Sequence, residues 1–328
     1  MRHLQDFVRD ALPSLLKTED TYWQPSDFLP DMSQPDAFDQ IRELQQAARE
    51  LPDDLLAVLV GDMITEEALP TYSVWLHSYE GIDKGGEPRG PWGEWARKWT
   101  AEENRHGDVL NRYLYLTGRV NMREVEATIQ NLISDGMDIK TGSDPYKAFA
   151  YTSFQEIATQ VSHKNVAVRA ASLGDRRLAR LCSHVASDEN RHAKAYKLFF
   201  EKILEVDPSD ALLSFQEMMK SKVTMPAMYM REKGKQIGES FRKFADVAER
   251  TGVYTRLHYV DILQGLVRSW NIEALTQLTP AAEHAQQFLC SLPERYRKVA
   301  ERFENVSKEL HSFSWLNGGE STPVAQPS

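Results

Sequence analysis

The sequence predicts an all-α protein, a four-helix bundle core extended by further helices into one large domain. Three observations predict it. Apolar residues recur at the spacing of a helix face through most of the 328-residue chain, and nowhere is a strand-like alternation sustained. A short string also occurs twice, A-E-E-N-R-H at 101–106 and S-D-E-N-R-H at 187–192. Each copy interrupts an apolar helical stripe. Trp92, Trp95, Trp99, Glu103, His106 and Leu110 share one face; Leu178, Val185, Glu189, His192, Tyr196 and Phe199 share the matching one.

The elements follow in order. Met1 to Asp20 carries Leu4, Phe7, Val8, Leu12, Leu15 and Leu16 at near-helical spacing; its acids are foreign to a transit peptide, and it lacks the continuous apolar stretch of a signal peptide. If the native protein is imported into an organelle, this is the mature form. Tyr22 to Pro35, with three prolines, reads as an extended segment lying on the bundle. Ala37 to Glu50 is an amphipathic helix. Pro52-Asp53-Asp54 opens a long one, with proline in the first turn and acids at the positive end of the dipole. It runs through Leu55, Leu59, Asp62, Glu66 and Leu69. Pro70 cannot donate to the carbonyl of Glu66, so the helix is expected to be distorted or kinked there. Gly81 to Gly90 is a polar loop, and the tryptophan-rich helix with the first motif follows. Val120 to Met137 is a helix closed by Gly136. Asp144-Pro145 opens another, with Phe149, Thr152, Glu156, Thr159 and His163 on one face, and Asp175 caps the helix of the second motif. Asp207-Pro208 ends the core, placed at about residues 52–206. Helices Ala211–Lys222, Gly238–Thr251, Arg256–Trp270 and Ala281–Leu310 complete a single domain over 1–316, and 317–328 is a polar tail expected to be disordered.

Composition limits the function. Hydrophobic content of 41%, charged content of 27% and a net charge of −9 describe a soluble globular chain and argue against nucleic-acid binding. The longest apolar run, Leu55 to Val60, is too short to span a bilayer. Cys182 and Cys290 make no disulfide framework.

Within each motif a Glu and a His three residues later project from one helix face, with Cβ atoms about 5–6 Å apart. A carboxylate on a core face is costly unless a cation or hydrogen bonds compensate it. Two copies therefore suggest two metal ions. The four-helix carboxylate plan for two irons asks one further Glu from each of two other helices. Glu66 and Glu156 are the buried candidates, and the order Glu66, Glu103/His106, Glu156, Glu189/His192 leaves room in each half for a helix, a turn and half a helix back. His163 is then a core histidine or a partner of a ligand.

Several longer strings carry a family resemblance: G-D-M-I-T-E-E-A-L-P-T-Y at 61–72, W-T-A-E-E-N-R-H-G-D at 99–108 and Y-T-S-F-Q-E at 151–156. To these are added Trp23-Gln-Pro25, Asp27-Phe-Leu-Pro30, the stretch Asn111 to Val120, Gly252-Val-Tyr254 and Phe313-Ser-Trp315. From Trp23 to Trp315 the chain resembles the plant-type soluble acyl-ACP desaturases. The resemblance implies a homodimeric ferritin-like protein with two iron ions per subunit, held by Glu66, Glu103, His106, Glu156, Glu189 and His192. It implies O2-dependent insertion of a cis double bond, most commonly Δ9, into an acyl chain on acyl carrier protein, with electrons from reduced ferredoxin. It places the protein in the plastid stroma, a bacterial cytoplasm being the alternative.

Further roles follow from the resemblance. Trp23 and Asp188 are linked to an electron path through His106. Asp188 and Glu102 could hydrogen-bond the second nitrogen of a ligating histidine. Thr159 would face the O2 site, or else bond back to its own helix. The positions lining the family's acyl tunnel match Trp75, Ser78, Tyr79, Ile139 and Ala148, where the common plant pattern is Met, Thr, Leu, Pro and Gly. Trp75, Tyr79 and Ile139 are bulky and would shorten the tunnel, favouring palmitoyl over stearoyl unless small residues compensate elsewhere. The stretch Arg231 to Lys243 is richer in Arg and Lys than the plant enzymes and either meets the acidic carrier or is a solvated loop. A ferritin-like oxygenase acting on another substrate is the competing class, to be separated by whether a long apolar tunnel passes the metals.

Overall fold

A computed structural model describes residues 1–79, 90–302 and 311–316. Twelve α-helices are found among them: α1 Gln5–Leu15, α2 Ala37–Arg49, α3 Asp53–Glu67, α4 Leu69–Leu76, α5 Pro91–Thr117, α6 Met122–Asp135, α7 Pro145–Ser172, α8 Arg176–Val206, α9 Pro208–Ser221, α10 Glu239–Thr251, α11 Arg256–Ser269 and α12 Pro280–Arg302. The one β feature in this region is an isolated bridge between Val120 and Leu316. No described helix is long and apolar enough to cross a membrane. The fold is the ferritin-like helical bundle, with α3, α5, α7 and α8 forming the core that carries both motifs.

Local chemistry sets the helix ends. The Asp144 carboxylate accepts the Tyr146 and Lys147 N–H groups at the start of α7, and Asp175 accepts Leu178 N–H at 2.8 Å at the start of α8. Each acceptor satisfies donors that the first turn leaves free. Pro91, Pro145 and Pro208 sit in first turns, where no N–H is needed. α5 stops at Gly118, whose φ of +64° suits glycine.

Some boundaries differ from the sequence expectation. The long helix through Glu66 is two helices. α3 ends at Glu67, and α4 restarts at Leu69 with Pro70 in its first turn. Proline's missing donor is thereby moved from a helix interior, where it breaks the ladder, to a position where none is required. The Tyr72 hydroxyl donates to the Thr65 carbonyl at 3.1 Å, across this break. The helix expected over Val120–Met137 is shorter, because Asn121 N–H bonds the Trp315 carbonyl at 2.7 Å instead of entering a helix. α9 begins earlier than Ala211, at Pro208. The segment Tyr22–Pro35 is not wholly extended: Pro25–Asp27 is a 3₁₀ turn that helps bury Trp23, Phe28 and Leu29. The loop expected at Gly81–Gly90 (all but Gly90), the end of the helix expected to reach Leu310 and the tail 317–328 lie outside the described residues.

The apolar core is divided. One buried cluster holds Trp92, Trp95 and Trp99 of α5, Phe149 and Phe154 of α7, and Tyr196, Phe199 and Phe200 of α8. The other holds Leu56 to Ile64 of α3, Val109 to Leu114 of α5, Val166 to Ala170 of α7 and Leu178 to Val185 of α8. Along α5 the boundary falls at Glu103 and His106; along α8 it falls at Glu189 and His192. A polar layer therefore crosses the bundle between two hydrophobic halves.

Candidate metal centre

Six side chains meet in that layer, all buried. They form two overlapping groups whose donor atoms lie within 4.8 Å of one another: Glu66, Glu103, His106 and Glu189, and Glu103, Glu156, Glu189 and His192. Glu103 and Glu189 belong to both. Glu66 with His106, and Glu156 with His192, each belong to one. Glu and His of one motif do not simply pair. His106 Nδ1 is 2.9 Å from Glu189 Oε1 and 3.3 Å from Glu103 Oε2. His192 Nδ1 is 2.7 Å from Glu103 Oε1 and 3.5 Å from Glu156 Oε2.

These short separations lack the angles of hydrogen bonds. His106 Nδ1, His192 Nδ1, Glu103 Oε1 and Glu189 Oε1 are buried and have no hydrogen-bond partner. Their lone pairs converge on shared space, an arrangement that is unfavourable for a buried polar cluster and suited to a cation. Electrostatics agree. Burial pushes the Glu66 and Glu156 carboxyls well above the usual carboxylate range, with Glu189 adding to it. Burial opposes ionisation of Glu103 too, but His106 and His192 outweigh it and hold that carboxyl at about 2. Both imidazoles rise well above their ordinary value despite burial, chiefly through Glu103. Four carboxylates in one dry layer borrow charge from two histidines. A pair of divalent ions would supply that charge directly, and the carboxylate–imidazole donor set suits a redox-active first-row metal.

The surroundings orient these donors. Glu102 Oε2 lies 2.8 Å from His192 Nε2 and takes Arg191 of the second motif. This leaves Nδ1 of His192 as the nitrogen facing the carboxylates. The converse contact is looser: Asp188 Oδ2 is 3.6 Å from His106 Nε2 and 3.9 Å from Arg105 Nη2. The acid of each motif thus serves the histidine of the other. Asp188 takes three more partners, an N–H from Trp23 Nε1 at 2.8 Å, the Lys17 ammonium and, at 3.4 Å, Arg191 Nη2. Burial works against its charge, but His106 and Lys17 hold it far below the carboxylate range. Trp23 stacks on His106, with ring centroids 6.0 Å apart and planes 8° from parallel. Trp99 Nε1 donates to Glu156 Oε1 at 3.1 Å, and His163 Nε2 lies 3.0 Å from Glu66 Oε1. Thr159 Oγ1 is 2.8 Å from Glu189 Oε2 and 3.1 Å from its own-helix Glu156 carbonyl. The bond back to its own helix is thus present, and its single proton can equally reach Glu189.

A cavity of about 380 Å³ opens beside this layer. Glu66, Glu103, Glu156, Glu189, Thr159 and Trp99 form its inner wall; Met225, Met228, Phe241, Phe244, Tyr254 and Tyr259 line its flanks, and it reaches the exposed Arg256 and Val299. None of the five expected tunnel positions touches it. Trp75, Tyr79 and Ala148 line a separate void of about 10 Å³ against Phe149, Thr152 and Tyr196. Trp75 Nε1 and the Tyr79 hydroxyl both bond Thr141 Oγ1, at 2.9 and 3.0 Å. Ile139 is buried in the core beyond both spaces, and Ser78 is exposed with its hydroxyl turned to the Trp75 carbonyl. In the basic stretch, Arg231 is paired with Asp135, and Lys243 donates to the Ser312 carbonyl at 3.0 Å.

Sequence reasoning did not single out Lys17, Arg105, Arg191 or Trp99 for these contacts. Both arginines recur in the motif, which was the available signal. Nothing in the sequence marks Lys17.

Comparison with known proteins gives a consistent picture. Residues 1–317 match the model of a family described as fatty acid desaturase. The chain is 49% identical over 321 residues to stearoyl-[acyl-carrier-protein] 9-desaturase 5, chloroplastic, of Arabidopsis thaliana, covering 97% of this chain and 81% of that protein. It is 48% identical over 323 residues to palmitoyl-[acyl-carrier-protein] 4-desaturase 3, chloroplastic, of Ophrys sphegodes, again with 97% and 81% covered. A solved structure of a similar fold is that of a putative acyl-ACP desaturase, DesA2, of Mycobacterium tuberculosis H37Rv. Its TM-score is 0.52 at 18% identity, over 86% of this chain and 97% of that one.

Proposed function

The chain belongs to the fatty acid desaturase family, and from that premise we propose that it is an acyl-ACP desaturase inserting a cis double bond into a saturated chain. The observation that carries the reading is the pair of overlapping carboxylate–imidazole groups at the inner wall of a largely apolar cavity. Glu66, Glu103, His106, Glu156, Glu189 and His192 would hold two irons. When bound, these supply the O2-derived oxidant that an unactivated CH2–CH2 unit requires, since its C–H bonds offer no acid–base handle.

The remaining work belongs to the protein. His192 presents Nδ1 because Glu102 occupies Nε2. Trp99 and His163 fix the outer carboxylates Glu156 and Glu66. Thr159 keeps a proton beside Glu189, on the cavity side of the layer. Apolar flanks hold the acyl chain and exclude water. Trp23, stacked on His106 and bonded to Asp188, is the connection by which electrons from reduced ferredoxin would reach the centre.

The chain-length reading is for acyl groups shorter than stearoyl, such as palmitoyl, with Δ9 as the family's commonest position. It is supported by Trp75 and Tyr79, which with Ala148 leave a void of about 10 Å³. Residues 1–316 would act as one domain, as a homodimer, in the plastid stroma or else a bacterial cytoplasm; the word chloroplastic in the names of both relatives supports a plastid. A single-turnover assay tests the function: iron-loaded protein, reduced ferredoxin and O2 with myristoyl-, palmitoyl- and stearoyl-ACP, the products located by mass spectrometry. A mono-unsaturated product is expected. Hydroxylated product, or O2 consumption with every chain unchanged, would move the protein to the oxygenase class.

A further inference from the structure

Gly61 lies in the middle of α3, buried on all sides, with Val58, Leu59, Val60, Asp62, Met63 and Ile64 buried around it. Glycine inside a helix is less stable than alanine because it gives up more backbone freedom on folding, so its presence calls for a reason in packing. The reason is Phe244 of α10. A Cβ on Gly61 would stand 2.2 Å from Phe244 Cε2, 2.5 Å from Cδ2 and 3.0 Å from Cζ. The edge of the ring occupies the place a side chain would take. Phe244 also lines the cavity, beside Phe241 and Ala245. One side of this ring rests on the α3 backbone while another bounds the space assigned to the acyl chain.

We propose that Gly61 and Phe244 together set the bore of the acyl cavity, and so are specificity-determining residues for the substrate. The inference rests on reading the cavity as the acyl site. With glycine at 61 the ring lies back against α3 and the passage is open. Any larger residue there forces the ring to move by about 1.5 Å to regain ordinary carbon–carbon contact of ~3.5–4.0 Å. α3 cannot retreat, being packed on every face, and α10 is fixed by the buried Val247 and Ala248. Phe244 itself is only half-buried. The side chain therefore yields, and the side open to it is the cavity.

The test is the dissociation constant for palmitoyl-ACP, measured by calorimetry on the metal-free protein, so that iron chemistry does not enter. Gly61→Ala is expected to bind about 15-fold more weakly, the loss of roughly two methylenes of burial. Phe244→Leu is expected to bind no more weakly than the parent, and Gly61→Ala/Phe244→Leu to return to within about twofold of it. Gly61→Ala binding like the parent, or a double variant as weak as the single, overturns the proposal. If Gly61→Ala does not fold, Phe244→Trp with Gly61 intact carries the question: a larger ring against an unmoved α3 is expected to weaken binding by a similar factor, and parent-like affinity overturns the proposal. A parent that binds palmitoyl-ACP no better than carrier protein without an acyl chain fails in a different way, removing the acyl reading and this inference together.

Discussion

Glu103 and Glu189 differ from Glu66 and Glu156 in belonging to both convergent groups. That difference predicts unequal losses. Glu66→Gln leaves the group of Glu103, Glu156, Glu189 and His192 intact and should retain about one iron per chain, whereas Glu103→Gln damages both groups and should retain little. Iron-to-protein ratios after anaerobic loading and desalting check this; equal losses would show that Glu103 is not shared. Asp62 offers a prediction that needs no metal. Burial, reinforced by Glu66, raises its carboxyl from 3.8 to about 6, against the opposing pull of His163 and the Ser162 hydrogen bond. Between those values the native chain keeps a proton that the unfolded chain has lost, so stability falls as pH rises through the window, and the loss is complete above about 6. Asp62→Asn keeps an acceptor for the Ser162 hydroxyl and removes the titration. In urea unfolding of the metal-free protein, its stability relative to the parent should improve by about 1 kcal/mol between roughly pH 5 and 7. A gap independent of pH would remove Asp62 as the cause.

At the scale of elements, α8 depends on a residue that serves two helices. Asp175 accepts the Leu178 N–H and also the buried Tyr113 hydroxyl of α5. Asp175→Ala removes a cap worth about 1 kcal/mol and strands a buried hydroxyl at roughly 1–3 kcal/mol, so a loss of about 2–4 kcal/mol is expected. Asp175→Asn should recover most of it, and denaturant midpoints read both. If the alanine variant loses no more than an ordinary cap, Tyr113 has found another partner. Such caps were legible in the sequence, because Asp-Pro pairs and the capping aspartate act within one turn of chain. Helix faces were legible for the same reason, and helix phase matched to the four-helix carboxylate plan was enough to name six candidate ligands. What crosses between helices was not legible. Phase puts Glu102 and Asp188 next to their own motifs, but does not say that each faces the other motif's histidine. It marks Pro70 as a disturbance, but not that the helix would end and restart around Ala68. Phe244 resting on Gly61 depends on how two distant helices cross, which no local pattern records.

For the molecule as a whole, the polar layer sets where the hydrophobic halves can hold a ligand. The bundle half containing Trp92, Trp95, Phe149 and Phe199 is filled by aromatic rings and leaves about 10 Å³ beside Trp75 and Tyr79, while the space of about 380 Å³ opens beside the layer, towards α10, α11 and α12. An acyl chain entering from Arg256 and Val299 has room up to the candidate centre and little beyond it. Trp75 is the residue to change. It is half-buried, stands edge-on to Tyr79 and Tyr151, and shares Thr141 with Tyr79, so its removal leaves the Thr141 hydroxyl still paired. Trp75→Leu should lengthen the distal space and raise the ratio of kcat/KM for stearoyl-ACP over palmitoyl-ACP. Each methylene newly buried contributes about 0.8 kcal/mol, or roughly fourfold, so two would move the ratio by up to about 15-fold. Because the change lies away from the six candidate ligands, iron content should stay at the parent's value, which separates a longer cavity from a damaged centre. An unchanged ratio in a folded, iron-loaded Trp75→Leu protein would mean that the chain ends before reaching Trp75, and that the wall at Tyr72 and Trp99 sets its length instead.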